Sequence, residues 1–253
     1  MRVDGHASLA SDYVSRAVRA LDGSSADCVG GVIESRGDTL IGEAIALAMS
    51  SRFGVGGAAF RTGGEGPVDT VAFGAYRRSV FERIGRFAED IERGEDDEFN
   101  YRLLDAGGTI LLVPEMRVEY TVRGGFGALW RQYFGYGRAK VEVLRRHPAQ
   151  ARARQVAPVL LAGALALSAL EAAGGRTSML RRLLAVYTLA ATISSAAISV
   201  RHGWRFFPTL PIAFACLHLS YGLGSIAGLI GLAGRSLVRA GNSDARESTE
   251  APR

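Results

Sequence analysis

The chain has 253 residues, a formal net charge of +5 and apolar residues at 48% of its positions. That apolar share is high for a purely soluble domain, and the length suits one large domain or two small ones. Apolar residues concentrate between residues 156 and 233, whereas residues 1–150 carry nearly all the acids. Basic residues cluster before the first apolar run, which favours an anionic membrane surface over nucleic acid as the partner. Neither cysteine belongs to a metal-binding or redox motif, so no disulfide framework is implied.

The first 121 residues alternate between helical and strand patterns. Ser11 or Asp12 caps a predicted helix that runs to residue 21, with Val14, Ala17, Val18 and Leu21 at helical spacing. Asp38 caps a second predicted helix, and a capping box at Ser79 begins a short one that ends at Gly85. Strands are predicted at 28–34, 68–73, 109–113 and 117–121, a glycine-rich loop at 53–66 and a further helix at 99–104. Such alternation predicts an α/β layered domain.

The second half of the chain predicts membrane association. Residues 126–146 form one long predicted helix with an aromatic stripe and many basic residues. This composition is typical of a helix in the bilayer interface, and an amphipathic helix packed on the domain fits equally well. Three apolar stretches follow at 156–173, 183–200 and 208–233. A span needs about 20 apolar residues, so each stretch is a candidate.

Small residues and charge add detail to the membrane prediction. Ser220, Gly224 and Gly228 recur at four-residue spacing, which suits close contact between helices. The basic run before residue 156 favours an N-terminal domain that faces the cytoplasm. Arg176, Arg181 and Arg182 lie in the next loop, which simple alternation places outside, so a re-entrant or interfacial segment is the alternative. The polar tail at 235–253 is predicted to be disordered.

The densest acidic cluster is Glu95-Asp96-Asp97-Glu98. At the start of a helix these carboxylates are stabilised by the helix dipole, although four adjacent ones repel each other. We therefore expect at least one raised pKa and a carboxylate able to act as a general base. A solvated helix cap is the alternative interpretation.

Asp4 and His6 are separated by one residue at the predicted end of a strand. Alternation along an extended segment places their side chains on the same side. A carboxylate and an imidazole at that spacing suit a divalent cation, Mn²⁺ somewhat better than Mg²⁺. A surface aspartate and histidine without a metal is the alternative.

Taken in order, these features resemble a known family. The Asp-x-His pair is followed by the glycine-rich loop, the acidic cluster with Arg102, Gln132 on the aromatic helix, and the apolar stretches. This order resembles the family 2 glycosyltransferases of the GT-A fold and is closest to the succinoglycan-biosynthesis type. Segments 44–61 (AIALAMSSRFGVGGAAFR) and 96–103 (DDEFNYRL) carry most of the likeness. It covers nearly the whole chain, roughly from residue 2 to residue 233.

The resemblance implies a fold and a domain organisation. It predicts a partial GT-A, Rossmann-like α/β domain at 1–150, with an interfacial helix at about 126–147. A membrane domain of about three transmembrane helices follows at 155–234. The implied location is the cytoplasmic (inner) membrane, with several spans and the catalytic domain facing the cytoplasm.

The resemblance also implies an enzyme that moves a sugar, with inversion, from a nucleotide-sugar donor to a lipid-linked or exopolysaccharide acceptor. Membrane lipids and other polysaccharide-assembly proteins are the further partners implied. Asp96 matches the general base, with Glu95 and Asp97 beside it as catalytic residues. Asp4 and His6 match the ligands of Mn²⁺ or Mg²⁺. The implied substrate-binding residues are Glu98, Arg102, Gln132 and Arg131.

Two departures from the family pattern keep other functions open. Gly135 stands where the Gln132 motif has an arginine, and Arg131 and Arg138 lie nearby at a different spacing. The metal motif begins at residue 4, so we expect the nucleotide-binding half to be missing from an N-terminally truncated chain. An inactive membrane protein or scaffold is therefore the alternative. A small transporter subunit is a third reading, weakened because His218 is the one ionisable residue mid-span.

Overall fold

The structure is a computed structural model that describes residues 1, 3, 5 and 7–247, with side chains as far as residue 234. Its strands are β1 (Ala7–Leu9), β2 (Cys28–Arg36), β3 (Gly66–Pro67), β4 (Ala75–Tyr76) and β5 (Ile110–Thr121). Its helices are α1 (Tyr13–Asp22), α2 (Leu40–Met49), α3 (Arg52–Val55), α4 (Ala59–Thr62), α5 (Arg78–Ile84), α6 (Glu95–Asp105), α7 (Phe126–Arg146), α8 (Ala153–Ala173), α9 (Ser178–His202) and α10 (Leu210–Glu247). The α/β class followed by long apolar helices is confirmed.

The sheet is built around β2 and β5, which run parallel. β1 and β3 pair with β5, and β4 pairs with β2, all antiparallel. The sequence predicts two short strands where β5 is continuous. A register shift in β2 between Gly30 and Val32 absorbs the extra residues of β5. Gly31 makes this possible, because a Cβ there would overlap the carbonyl of Met116.

The strand predicted at 68–73 is wrong. The Thr70 hydroxyl donates to Asp97 at 3.0 Å, and the Val71 carbonyl accepts from Asn100 at 3.3 Å. Two polar groups of this segment therefore bond side chains of α6 instead of a neighbouring strand. Phe73 adopts a φ of 55°, which interrupts an extended conformation.

α1, α2 and α5 lie where the sequence predicts helices, with different caps and faces, whereas α6 begins at Glu95, before the predicted start at residue 99. The short helices α3 and α4 lie in the segment predicted as a glycine-rich loop. In α1 the buried residues are Tyr13 and Ala17, whereas Val14 and Val18 are more than half exposed. α2 is capped by Thr39 rather than Asp38, since the Gly42 N–H donates to the Thr39 hydroxyl at 3.0 Å. α5 begins at Arg78 without the predicted capping box and ends at Gly85 as predicted.

α7 has the predicted bounds and packs against α10 along much of its length. A Cβ on Gly137 would overlap the Tyr221 carbonyl, and one on Gly224 would overlap the Phe134 carbonyl. These glycines let the two backbones approach closely. The small residues of α10 thus contact α7, while Arg131, Tyr136 and Arg138 of α7 remain exposed. α7 is a packed helix on one side, and its place in a bilayer interface stays a prediction.

Three helices are long and apolar enough to cross a membrane: α8, α9 and the part of α10 from Leu210 to Gly234. Among the 18 most apolar consecutive residues of each helix, 11% are buried inside the protein in α8 and 17% in α9, against 50% in α10. α10 is therefore the helix that joins the α/β layer to the other two. It continues as helix to Glu247, beyond the point where the sequence predicts disorder, and residues 248–253 lie outside the described residues.

Candidate active site

A cavity of about 1050 Å³ lies where the α/β layer meets the candidate membrane helices. One side carries the start of α6, the cavity-facing side of α7 and the segment from Phe53 to Phe73. The opposite side comes from α8, α9 and α10, where the apolar Ala157, Pro158, Leu161 and Leu217 lie beside the polar Arg154, Gln155, Tyr187, His218 and Tyr221. The cavity therefore connects the acidic cluster with the helices that are apolar enough to cross a membrane.

Asp96 lies in the first turn of α6, which begins after Gly94 in a left-handed conformation. Its Oδ1 accepts the Asp97 N–H at 2.9 Å. Burial, and then the negative charge of Asp97, raise the pKa of Asp96 to about 6. A carboxylate with a pKa near neutrality that lines a cavity is suited to accept a proton there.

The pKa of Asp97 is shifted in the opposite direction from that of Asp96. It forms an ion pair with the Lys140 ammonium and accepts a hydrogen bond from Thr70. Burial alone would raise the pKa of Asp97, but the charge and hydrogen bond of Lys140, the hydrogen bond of Thr70 and the charge of Arg154 together lower it. The same pair raises the pKa of Lys140 above its usual range, against the effect of burial. Asp97 thus stays ionised and keeps the neighbouring Asp96 carboxyl partly protonated near pH 6.

Lys140 was missed in the sequence reasoning, although a signal for it exists. It is the only lysine of the sequence, among 30 basic residues in total. An ammonium on α7 that pairs with a carboxylate 43 positions earlier leaves no local pattern. The only sequence signal for Lys140 is that it is a single lysine in a chain whose other basic residues of this class are arginines.

The start of α8 is tied to the site by two polar contacts. Arg154 forms an ion pair with Asp69, and Gln155 Nε2 donates to the Tyr101 hydroxyl at 2.7 Å. Arg154, Gln155 and Tyr101 line the cavity. These contacts fix the start of the first candidate membrane helix to the side of the cavity that carries the acidic cluster.

Gln132 and Arg131, two predicted substrate-binding residues, line the cavity. Gln132 Nε2 donates to the hydroxyls of Tyr120 and Tyr136, each at 2.9 Å. Arg61 lies on the same side, with its guanidinium 5.6 Å from the Phe60 ring centre and 5.7 Å from that of Tyr120. Within the described part of the chain, Gln132 Oε1 and Arg61 Nη1 are buried without a hydrogen-bond partner. Both are therefore unsatisfied polar atoms of residues that line the cavity.

Glu98 and Arg102, the other two predicted substrate-binding residues, are not among the residues that line the cavity. Arg102 donates to the buried Glu98 carboxylate at 2.8 and 3.1 Å and to the carbonyls of Ile84 and Arg86. His147 Nε2 lies 3.4 Å from Glu98 Oε1. These contacts connect α6 with the end of α5 and with the residue that follows α7, so both side chains hold α6 in place.

The remaining predicted site residues divide into two groups. Glu95 lines the cavity beside Asp96. Asp4 and His6 lie outside the described residues. Among the side chains that the structure describes, no group of three or more His, Cys, Asp or Glu could hold a metal ion. The described residues alone therefore do not form a cation site, and the predicted one at Asp4 and His6 stays a prediction.

Gly135 brings a further residue into the site. The three atoms nearest to a Cβ built at Gly135 all belong to Arg93, whose guanidinium it would overlap. Arg93 lines the cavity and stands two residues before the acidic cluster. The sequence reasoning considered Arg131 and Arg138 on α7 itself and missed an arginine that reaches the same place from another element.

A comparison with known proteins agrees with the resemblance. Over 163 residues the chain is 32% identical to the succinoglycan biosynthesis protein ExoA of Rhizobium meliloti (strain 1021). The chain is a relative of a succinoglycan biosynthesis protein. The aligned part covers 64% of this chain and 49% of ExoA, so the chain spans about half the length of this relative. No protein-family model matches. The predicted resemblance to the succinoglycan-biosynthesis type is confirmed.

Proposed function

We propose that the chain carries the catalytic base and the acceptor side of an inverting glycosyltransferase for exopolysaccharide synthesis. It would move a sugar from a nucleotide-sugar donor to a lipid-linked or polysaccharide acceptor at the cytoplasmic face of the inner membrane. The observation that carries the proposal is the position of Asp96. A carboxyl group with a pKa of about 6 lines a cavity bounded on its other side by candidate membrane helices. The similarity to ExoA supports the same class of function.

Asp96 would take the proton of the acceptor hydroxyl. The acceptor oxygen then forms a bond to the anomeric carbon, while the bond from that carbon to the diphosphate breaks and its electron pair leaves with the diphosphate. Attack opposite the leaving group inverts the anomeric centre. A positioned base contributes roughly 10²- to 10⁴-fold to such a rate. The Asp97–Lys140 pair would hold the base in place without competing for the proton.

The composition of the cavity favours a lipid-linked acceptor over a soluble one. Pro158, Leu161 and Leu217 bring apolar surface from two candidate spans to the cavity that contains Asp96. An acceptor whose lipid lies between the candidate spans could thereby present its sugar hydroxyl to the base. The contacts of Arg154 and Gln155 fix this entrance relative to the acidic cluster.

Metal dependence is part of the proposal through Asp4 and His6. A divalent cation bound there would neutralise the leaving diphosphate. The donor identity, the acceptor and the linkage are left to experiment.

The test is transfer of radiolabel from a panel of nucleotide sugars by membranes that contain the protein. Label is followed separately in the lipid extract and in the polymer fraction. The proposal expects label in the lipid extract from at least one donor, above that of membranes without the protein. Label in neither fraction from any donor would instead support a non-catalytic membrane protein or scaffold.

A further inference from the structure

The Arg93 guanidinium lies against the backbone of α7 at Gly135. Nη1, Cζ and Cδ of Arg93 are the three atoms nearest to a Cβ built on that glycine, with Cζ at 3.4 Å and Cδ at 3.9 Å. Any side chain at position 135 would have to displace the guanidinium. The absence of a side chain at Gly135 therefore leaves the space that the Arg93 guanidinium occupies, and we call Gly135 the seat of Arg93. The positive charge beside α7 at this point comes from a residue outside α7.

The surroundings of Arg93 suit an anion. Among the described residues, basic side chains outnumber acidic ones around the cavity: Arg61, Arg93, Arg123, Arg131, Lys140 and Arg154 line it, against Glu92, Glu95, Asp96 and Asp97. Asp97, an acid close to Arg93 in sequence, is already paired with Lys140. In the part of the chain whose side chains are described, Arg93 takes part in no ion pair and is exposed. Its planar set of N–H donors is therefore accessible from the cavity, and this geometry matches two oxygens of one phosphate.

We propose that Arg93, seated on Gly135, binds the phosphate oxygens of a diphosphate-bearing substrate in this cavity. The inference rests on the proposed function, because that function brings diphosphates to the site. The diphosphate belongs either to the nucleotide-sugar donor or to the lipid that carries the acceptor. In both cases the guanidinium is a binding group close to the base, and Gly135 positions it.

The experiment measures diphosphate binding by calorimetry to the purified full chain in detergent. The two probes are uridine diphosphate with Mn²⁺, for the donor, and geranylgeranyl diphosphate, for the lipid. The variants are Arg93→Ala, Gly135→Ala, the double variant of both, and the exchange Arg93→Gly with Gly135→Arg. Arg138→Ala is the matched control, an exposed arginine of α7 that does not line the cavity.

Loss of a charge-assisted hydrogen bond to phosphate weakens binding by roughly tenfold to a hundredfold. We expect Arg93→Ala to lose that factor for one probe, which identifies the source of the diphosphate, while Arg138→Ala binds as the wild type does. Gly135→Ala should lose a smaller factor, because the overlapped Nη1 is the far end of a flexible side chain that can move aside. The change should add little in the Arg93→Ala background, because the added methyl group acts through Arg93. The exchange variant should recover part of the affinity.

The outcomes that would overturn the inference are separate from those that concern the proposed function. If the wild type binds a probe and Arg93→Ala binds it equally well, the role of Arg93 is wrong and the function stands. Additive losses from Arg93→Ala and Gly135→Ala would show that the glycine does not act as the seat. If the wild type binds neither probe, the proposed function fails and the inference fails with it. Thermal unfolding of every variant shows whether a loss reflects misfolding.

Discussion

Lys140 pairs with Asp97, the residue that follows Asp96, and all three side chains line the cavity. The pair keeps one of two adjacent carboxylates ionised, while burial and the charge of Asp97 raise the pKa of the other to about 6. Two chemically identical side chains are thereby given different protonation behaviour.

The pH dependence of transfer should report the protonation of Asp96. The base acts when ionised, so activity should fall as the pH drops through about 6. Asp97→Asn removes the negative charge that helps to raise the pKa of Asp96. The acidic limb of the rate profile should therefore move to lower pH in this variant. A profile of kcat/KM against pH measures the shift, and an unchanged acidic limb would show that another group controls it.

Stability should rise when Asp96 is replaced by Asn. The folded-state pKa of Asp96 is about 6 and its unfolded value is about 3.9, so ionisation above this range opposes folding. Below about pH 4 the Asp96 carboxyl is protonated in both the folded and the unfolded state, so it does not lower the free energy of unfolding of the wild type. That free energy falls as the pH rises from about 4 to about 6. Asp96→Asn should thus be more stable at pH 7 by up to about 3 kcal/mol. Thermal unfolding at pH 4 and pH 7 tests this, and a variant less stable at both would contradict it.

Arg102→Ala should destabilise the protein without a direct effect on substrate binding. It leaves the buried Glu98 carboxylate without its guanidinium partner, and breaking such a pair costs roughly 3–5 kcal/mol. Glu98 does not line the cavity, so the KM of the folded fraction should stay close to that of the wild type. Gln132→Ala is the contrast, because Gln132 does line the cavity. A raised KM in Arg102→Ala, at unchanged stability, would assign Arg102 to the substrate instead.

Removal of divalent cations should abolish transfer, and Mn²⁺ or Mg²⁺ should restore it. Asp4→Ala and His6→Ala should each raise the cation concentration needed for half-maximal activity. The measurement is transfer at buffered metal concentrations after treatment with a chelator. Glu65→Ala, an exposed acid away from the cavity, is the control. Full activity after chelation would show that the reaction does not need the cation.

The sequence predicts regular elements well where local patterns decide them. The bounds of α7 follow from its periodic aromatic and apolar residues, and the ends of α5 and α6 from Gly85 and Gly107. Hydrophobic periodicity was less reliable for burial: it placed Val14 and Val18 on the buried face of α1, where both are exposed. The face that Tyr13 occupies is buried instead, because it packs against Val29, Met116 and Val118, and the Tyr13 hydroxyl donates to the Phe73 carbonyl at 3.0 Å. That contact joins distant residues and leaves no periodic signal.

Only those parts of the candidate site that belong to local sequence motifs could be predicted. The acidic cluster and Gln132 are local patterns, and the structure places Asp96 and Gln132 in one cavity. Lys140 and Arg93 act through partners on other elements, so their roles depend on how α6 packs against α7. Glu98 and Arg102 belong to the same motif as Asp96, yet they point to α5 and the end of α7. Neighbours along a helix turn to different faces, which a motif does not show.

The central claim is that Asp96 is the catalytic base, and transfer by Asp96→Asn tests it most directly. Transfer of labelled sugar into lipid is compared between the wild type, Asp96→Asn and the exposed control Asp22→Asn, with folding checked by thermal unfolding. The account predicts that Asp96→Asn stays folded, still binds the diphosphate probe and transfers at least a hundredfold more slowly. Transfer by folded Asp96→Asn at the wild-type rate would contradict it.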